Sequence, residues 1–136
     1  MKVTIKLLEN YVEGGRGKMN NSINVLAKKI HENAVEHGWY DEERSFGEII
    51  ALCHSELSEA LEEHRNGKDV NEIYYNGNNN LISNIRKPEG IPVELADCII
   101  RILDYCAYKN IDIDEAIELK HEYNKTRPYK HGGKKI

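Results

Sequence analysis

At 136 residues, with 40% hydrophobic and 31% charged side chains, the chain fits one compact domain and is too apolar for wholesale disorder and too short for a multidomain machine. Its net charge of −4 conceals a split: residues 1–119 carry 13 basic and 22 acidic side chains, whereas residues 120–136 carry six basic ones against Glu122 alone. An acidic body with a basic tail argues against a nucleic-acid binder, whose basic residues would dominate the folded face. It leaves open a site that gathers cations in one part and phosphates in another. No apolar run approaches the roughly 18 residues of a membrane span, and Met1–Lys6 does not read as a secretory signal. Cys53, Cys98 and Cys106 lack CxxC spacing and sit among apolar neighbours. That is the pattern of small buried core thiols in a reducing cytoplasm, and it offers no zinc framework.

In chain order, residues 1–8 alternate (Val3, Ile5, Leu7) and suit a short strand. Gly14-Gly15-Arg16-Gly17-Lys18 fails as a phosphate loop, because Val12 and Met19 stand where Gly and Ser or Thr are needed. Residues 1–19 therefore read as a strand and flexible connector, and residues 20–136 as one helical domain. Asn20 or Asn21 is placed to cap a first helix with the stripe Ile23, Ala27, Ile30 and Ala34, stopping at Gly38. Ser45-x-x-Glu48 is a capping box opening a second helix, whose expected buried face is Ile49, Cys53, Leu57, Ala60 and Leu61, with Gly67 as the stop. Residues 68–89 lose periodicity around Asn76-Gly77-Asn78-Asn79-Asn80 and read as a long loop. Pro92 suits the first turn of a third helix running to about Lys109. Asp112-x-x-Glu115 opens a fourth, which Pro128 must end. The expectation is an all-α, four-helix, bundle-like fold with a long loop between helices 2 and 3.

On helix 2, Glu56, Glu59 and Glu63 fall within about a 60° sector that overlaps the apolar arc. A carboxylate aimed at the core is costly unless paired or bound to a metal. Helix 3 is apolar nearly all round, as expected of a central helix, and confines Glu94, Asp97, Arg101 and Asp104 to one wedge. Packing the two wedges together gathers Glu56, Glu59, Glu94 and Asp97. Their repulsion, about 0.2–0.5 kcal/mol per exposed pair and more when desolvated, is relieved by a divalent cation. All-oxygen ligands favour Mg²⁺, with Mn²⁺ as substitute, over zinc. A plainer alternative is that the wedge of helix 3 faces water, with Asp97 and Arg101 an ordinary i,i+4 ion pair. A di-iron bundle is excluded because it needs two ExxH motifs and only Glu118-x-x-His121 is present.

The run His54-Ser-Glu56-Leu-Ser-Glu59-Ala-Leu-Glu-Glu63 resembles the first acidic motif of the MazG-like nucleoside triphosphate pyrophosphohydrolases. Glu94-Leu-Ala-Asp97-Cys-Ile-Ile-Arg101 resembles their ExxD motif. The stretch from Lys120 through Asn124, Arg127, Lys130 and His131-Gly132 is similar to their Lys…Asn…Arg…His-Gly ending. The resemblance spans about residues 30–135 and implies a MazG-type helical domain. It also implies Mg²⁺-dependent hydrolysis of (d)NTPs between the α- and β-phosphates, and a homodimer or homotetramer. By position it implies Glu56, Glu59, Glu94 and Asp97 as metal ligands and Lys120, Asn124, Arg127 and Lys130 as triphosphate contacts. Ser55 stands where the family's leading Glu is often found, a loss for which Glu63 is the candidate compensation.

Hydrolysing a phosphoanhydride needs an in-line water, cations against the triphosphate and carboxylates to hold them. Glu56 and Glu59 are the catalytic candidates, Glu59 as the carboxylate orienting the water. Arg127 suits bidentate phosphate contact; otherwise the tail's cations complement the dipole of helix 4. Trp39 suits either stacking on a base or anchoring the core or an interface. His31 and Asn33 suit a base edge or a solvent-facing cap. Tyr74 and Tyr75 suit packing the loop down or reaching the nucleotide. The competing functions are a dUTP- or phosphoribosyl-ATP-type pyrophosphatase and a non-catalytic helical module that binds a nucleotide or partner in its acidic groove.

Overall fold

The computed structural model describes residues 22–76 and 86–129, so the expected N-terminal strand, the Asn20 and Asn21 caps, most of the Asn-rich loop and Lys130 lie outside the described residues. Four helices form the body: α1 (Ile23–Glu36), α2 (Phe46–Arg65), α3 (Ile91–Tyr108) and α4 (Ile113–Lys125). α3 is central, packed on one side by α2 and on another by α1, and α4 lies against α1. The all-α expectation holds, with one addition. The long loop is zipped at its ends by a two-residue antiparallel ladder, β1 (Tyr74–Tyr75) with β2 (Pro88–Glu89), in the register Tyr74 opposite Glu89. Periodicity cannot reveal strands this short.

Local chemistry explains the boundaries. Ser45 Oγ accepts from the Glu48 N–H at 3.2 Å, and Asp112 Oδ1 accepts from the Glu115 N–H at 3.0 Å, so both expected N-caps form. Gly67, at φ +80°, follows the end of α2. α1 is capped from a distance. Ser22 occupies its N-cap without an own-side-chain cap bond; instead Asp114 of α4 accepts from the Ile23 and Asn24 N–H groups at 3.0 and 3.2 Å. Asn24 returns the bond, its Oδ1 accepting from the Ile113 N–H at 3.0 Å. Two positive helix ends are thereby held side by side.

The core centres on Ile49, Cys53 and Cys98, with Tyr105 against it. All three cysteines are free and buried, as expected. His31, Tyr40 and Tyr108 form an edge-packed aromatic group between α1 and α3, ring centroids 4.6–5.8 Å apart. The burial phase of α2 corrects the expectation. Its buried stripe is Ile49, Cys53, Glu56 and Ala60, while Leu57 and Leu61 are 46% and 57% exposed. On α3, Leu95, Ile99 and Ile102 are likewise exposed, although the helix is central. No helix among the described residues is long and apolar enough to cross a membrane.

Candidate metal centre and adjoining cavity

The rotation of α2 turns Glu56 inward, opposite the first turns of α3, where Glu94 is also buried. Glu59 stands one turn beyond Glu56 at the exposed rim. One carboxylate oxygen each from Glu56, Glu59 and Glu94 lie within 4.8 Å of one another, the one such grouping of potential ligands among the described residues. Gly90 positions this end of α3. It adopts φ +118°, and a Cβ there would meet the Glu72 carbonyl oxygen at 2.3 Å. Only glycine lets the ribbon pass this close and then turn into the helix that carries Glu94.

Asp97 falls outside the three-carboxylate group but lines the adjoining cavity. The Asp97–Arg101 pair considered from sequence is replaced by a different one: Arg101 Nε donates to Glu56 Oε1 at 2.6 Å. Burial, then the charges of Glu59 and Asp97, pushes the Glu94 carboxyl above its ordinary range. Burial, then Glu56, does the same to Asp97, against the opposing effect of Arg101 and Lys87. Carboxyls raised by burial and neighbouring negative charge, as those of Glu94 and Asp97 are, have what a cation relieves. Three hard oxygen donors, two of them buried, fit Mg²⁺ or Mn²⁺ rather than zinc.

Beside the acids lies a cavity of about 260 Å³ bounded by Ile30, Asn33, Trp39, Leu52, Ile100 and Arg101, among others. Trp39 is half-exposed, with the Arg44 guanidinium 4.9 Å from its ring centroid and Arg44 Nε donating to its carbonyl at 2.8 Å. Asn33 reaches this cavity, whereas the His31 Nδ1 lies 2.7 Å from Asp104 Oδ1. Tyr40 Oη is buried and makes no hydrogen bond of ordinary geometry among the described residues, and burial, then the nearby Asp104 carboxylate, pushes its pKa up.

Other sequence candidates stand elsewhere. Glu63 accepts from the Tyr74 hydroxyl at 3.1 Å, bracing the ribbon on α2 rather than joining the cluster. Lys68 sits 3.9 Å from the Tyr74 ring centroid, so Tyr74 packs the loop down, while Tyr75 is exposed. Lys120 and Asn124 lie on exposed positions of α4, with Arg127 just beyond it, and none of the three lines the cavity. Sequence reasoning missed Lys87, whose charge favours ionisation of both Glu94 and Asp97, and it offered Arg101 a partner, Asp97, only in the plainer alternative, without finding Glu56. The signal for Arg101 was its place in the same polar wedge as Glu94 and Asp97. No protein-family model, curated protein or solved structure matches the chain.

Proposed function

We propose that the chain is a Mg²⁺-dependent nucleoside triphosphate pyrophosphohydrolase of the MazG-like kind, cleaving (d)NTPs to nucleoside monophosphate and pyrophosphate. The observation that carries this reading is the convergence of buried Glu56 and Glu94 with exposed Glu59, from two helices, beside a cavity flanked by Trp39. The order of the acidic motifs and their resemblance to that family supply the reaction class. Glu56, Glu59 and Glu94 hold the cation, with Asp97 at the boundary between cluster and cavity. Mg²⁺, when bound, supplies positive charge against the triphosphate. The cavity takes the nucleoside, with Trp39 against the base. Glu59, the rim carboxylate, orients the in-line water.

In this reading the protein works as a homo-oligomer. α4 buries no residue in its own chain and leaves Ile117, Leu119 and Tyr123 exposed. Leu57, Leu61, Leu95, Ile99 and Ile102 add apolar surface on α2 and α3, more than scattered single exposures account for. Lys120, Asn124, Arg127 and Lys130 then serve the phosphates of a neighbouring copy's site.

The test is to mix the protein with each (d)NTP and Mg²⁺ and resolve the products. Pyrophosphate with monophosphate is the expected result. The preferred base separates a broad enzyme from a dUTP- or phosphoribosyl-ATP-type one. Turnover of none of these nucleotides, with no Mg²⁺ binding, leaves a non-catalytic module.

A further inference from the structure

Arg101 is the one cation among the described residues whose side chain both bonds a carboxylate of the acidic cluster and lines the adjoining cavity. Its partner Glu56 is buried to 8% side-chain exposure, and Arg101 retains 30%. The Nε bond engages Glu56 Oε1 and leaves the second oxygen, Oε2, without a hydrogen bond among the described residues. The guanidinium carries five N–H groups in a planar fork. The four on its terminal nitrogens make no hydrogen bond among the described residues.

A buried ion pair alone would pin α2 to α3, and that role needs neither a cavity nor free donors. The cavity supplies both a mouth and a size limit. At about 260 Å³ it falls below the roughly 300–1,000 Å³ of sites that enclose a drug-sized ligand. It has room for a nucleoside rather than a whole nucleoside triphosphate. Besides apolar residues its lining holds the charged Arg44, Asp97, Arg101 and Asp104, of which Arg101 bonds the acidic cluster and Asp97 acts on its Glu94. A phosphate attached to a nucleoside lodged there is within the cavity that Arg101 lines, and Arg101 bonds Glu56 of the cluster.

We propose that Arg101 joins the two halves of the site: Nε fixes Glu56 so that Oε2 faces the cation, and the terminal nitrogens bind the phosphate nearest the nucleoside. This deepens the nucleotide reading above and rests on it. Arginine suits the task because its fork can hold a carboxylate on one edge and a phosphate on another, which a lysine ammonium cannot do with the same geometry. Partners that orient a metal ligand typically change metal affinity 10–100-fold when lost. Arg101 thus adds, on α3, a phosphate contact to those the sequence pattern sought in the C-terminal tail.

The test compares wild type, Arg101→Lys and Arg101→Gln by two binding measurements. In the first, the four common deoxynucleosides and their 5′-monophosphates are titrated calorimetrically in the presence of Mg²⁺. Wild type should bind the best monophosphate at least about tenfold tighter than its nucleoside, the range of one charge-assisted contact. Arg101→Gln should bring that ratio within about twofold, with Arg101→Lys between them. In the second, Mn²⁺ binding without nucleotide is followed by electron paramagnetic resonance. Arg101→Lys, which keeps the charge and so isolates geometry, should weaken Mn²⁺ about tenfold. An unchanged phosphate ratio in Arg101→Gln, or Mn²⁺ affinity within twofold in Arg101→Lys, overturns the proposal. If wild type binds no nucleotide and turns none over, the functional reading itself falls, and the two failures are told apart.

Discussion

Glu59 and Glu94, on facing helices, bring carboxylate oxygens within 4.8 Å of each other, and after burial the charge of Glu59 is the largest cause of the upward shift of Glu94. Asp97 is raised as well. Groups with raised folded-state pKa values favour the folded state while protonated. Their contribution is fully present below the unfolded values and is lost as pH rises through the folded ones. In chelator-treated protein, the melting temperature of wild type relative to Glu94→Gln should therefore fall as pH climbs from the ordinary carboxylate range through the raised one. A flat difference across that range would show that Glu94 feels no such repulsion. Adding Mg²⁺ near pH 7 should reverse the loss, by about 2.7 kcal/mol at a hundredfold excess over its dissociation constant. That gain should shrink as pH falls and protons compete for the ligands.

Substitutions within the cluster should separate chemistry from folding. Glu59 is exposed, so Glu59→Gln should leave stability within about 0.5 kcal/mol and lower turnover at least about 100-fold. That loss is at the upper end of, or beyond, the losses seen for partners that merely support a ligand. Asp97→Asn should also abolish turnover while retaining the helical circular dichroism spectrum. Glu56→Gln differs, because it weakens a buried partner of Arg101 and should in addition cost about 1–3 kcal/mol in chemical denaturation. Glu63→Gln is the control: its carboxylate is engaged by Tyr74, and turnover should stay within twofold of wild type. Loss of activity in Glu63→Gln equal to that in Glu59→Gln would return Glu63 to the metal site.

How much of this was legible beforehand follows from the range of each interaction. The caps at Ser45 and Asp112 are local, and both were readable from three-residue spacing. The i,i+3 spacing of Glu56 and Glu59 likewise fixed their shared face. On α2 Ile49, Cys53 and Ala60 are buried as expected, but hydrophobicity alone wrongly turned Leu57 and Leu61 inward. The inward face of Glu56 was legible, since its sector overlaps the apolar arc; its partner, a guanidinium 45 positions along the chain, was not, because no pattern within the helix encodes it. The tail residues fitted a motif by order, yet one chain does not bring Lys120, Asn124 or Arg127 to the cavity lining. Order along the chain does not fix position in the fold.

Gly90 should be the least replaceable glycine of the ribbon. An alanine there combines a left-handed φ of +118° with a Cβ placed 2.3 Å from the Glu72 carbonyl oxygen. The obstacle is backbone and cannot swing aside. The backbone conformation alone costs about 1–3 kcal/mol, and relieving the clash must shift either Glu72 or the start of α3. Gly90→Ala should therefore lower the melting temperature by several degrees and also weaken Mn²⁺ binding, since Glu94 lies four residues into that displaced helix. Gly67→Ala provides the comparison. It has φ +80° but nothing within 4 Å of the added Cβ, so it should destabilise without altering Mn²⁺ affinity.

The reciprocal cap between α1 and α4 makes a prediction of its own. Asp114 accepts from the Ile23 and Asn24 N–H groups and from the Ser22 hydroxyl. Asn24 accepts from the Ile113 N–H, and its Nδ2 donates to Asp112 Oδ1 at 2.8 Å. Because α4 buries no residue of its own, these bonds carry an unusually large share of its attachment. Removing a cap side chain typically costs about 0.5–2 kcal/mol. Asp114→Ala should fall at the upper end, because it strips the acceptor from two backbone donors of another helix. Asn24→Ala should cost less, and the two losses should not add, since each side chain holds the helix that presents the other. Hydrogen exchange checks the mechanism. In Asp114→Ala the Ile23 and Asn24 amides should exchange faster, while those of Cys53 and Cys98 in the α2–α3 core keep their protection. Asp112 adds a pH signature. The Glu115 N–H, then the Asn24 side chain, holds its carboxyl below the ordinary value. Its contribution is present above the unfolded pKa and is lost as pH falls through the lowered one. Strict additivity of the two substitutions, with uniform loss of protection across all four helices, would show that the caps act independently and that α4 is held by something else.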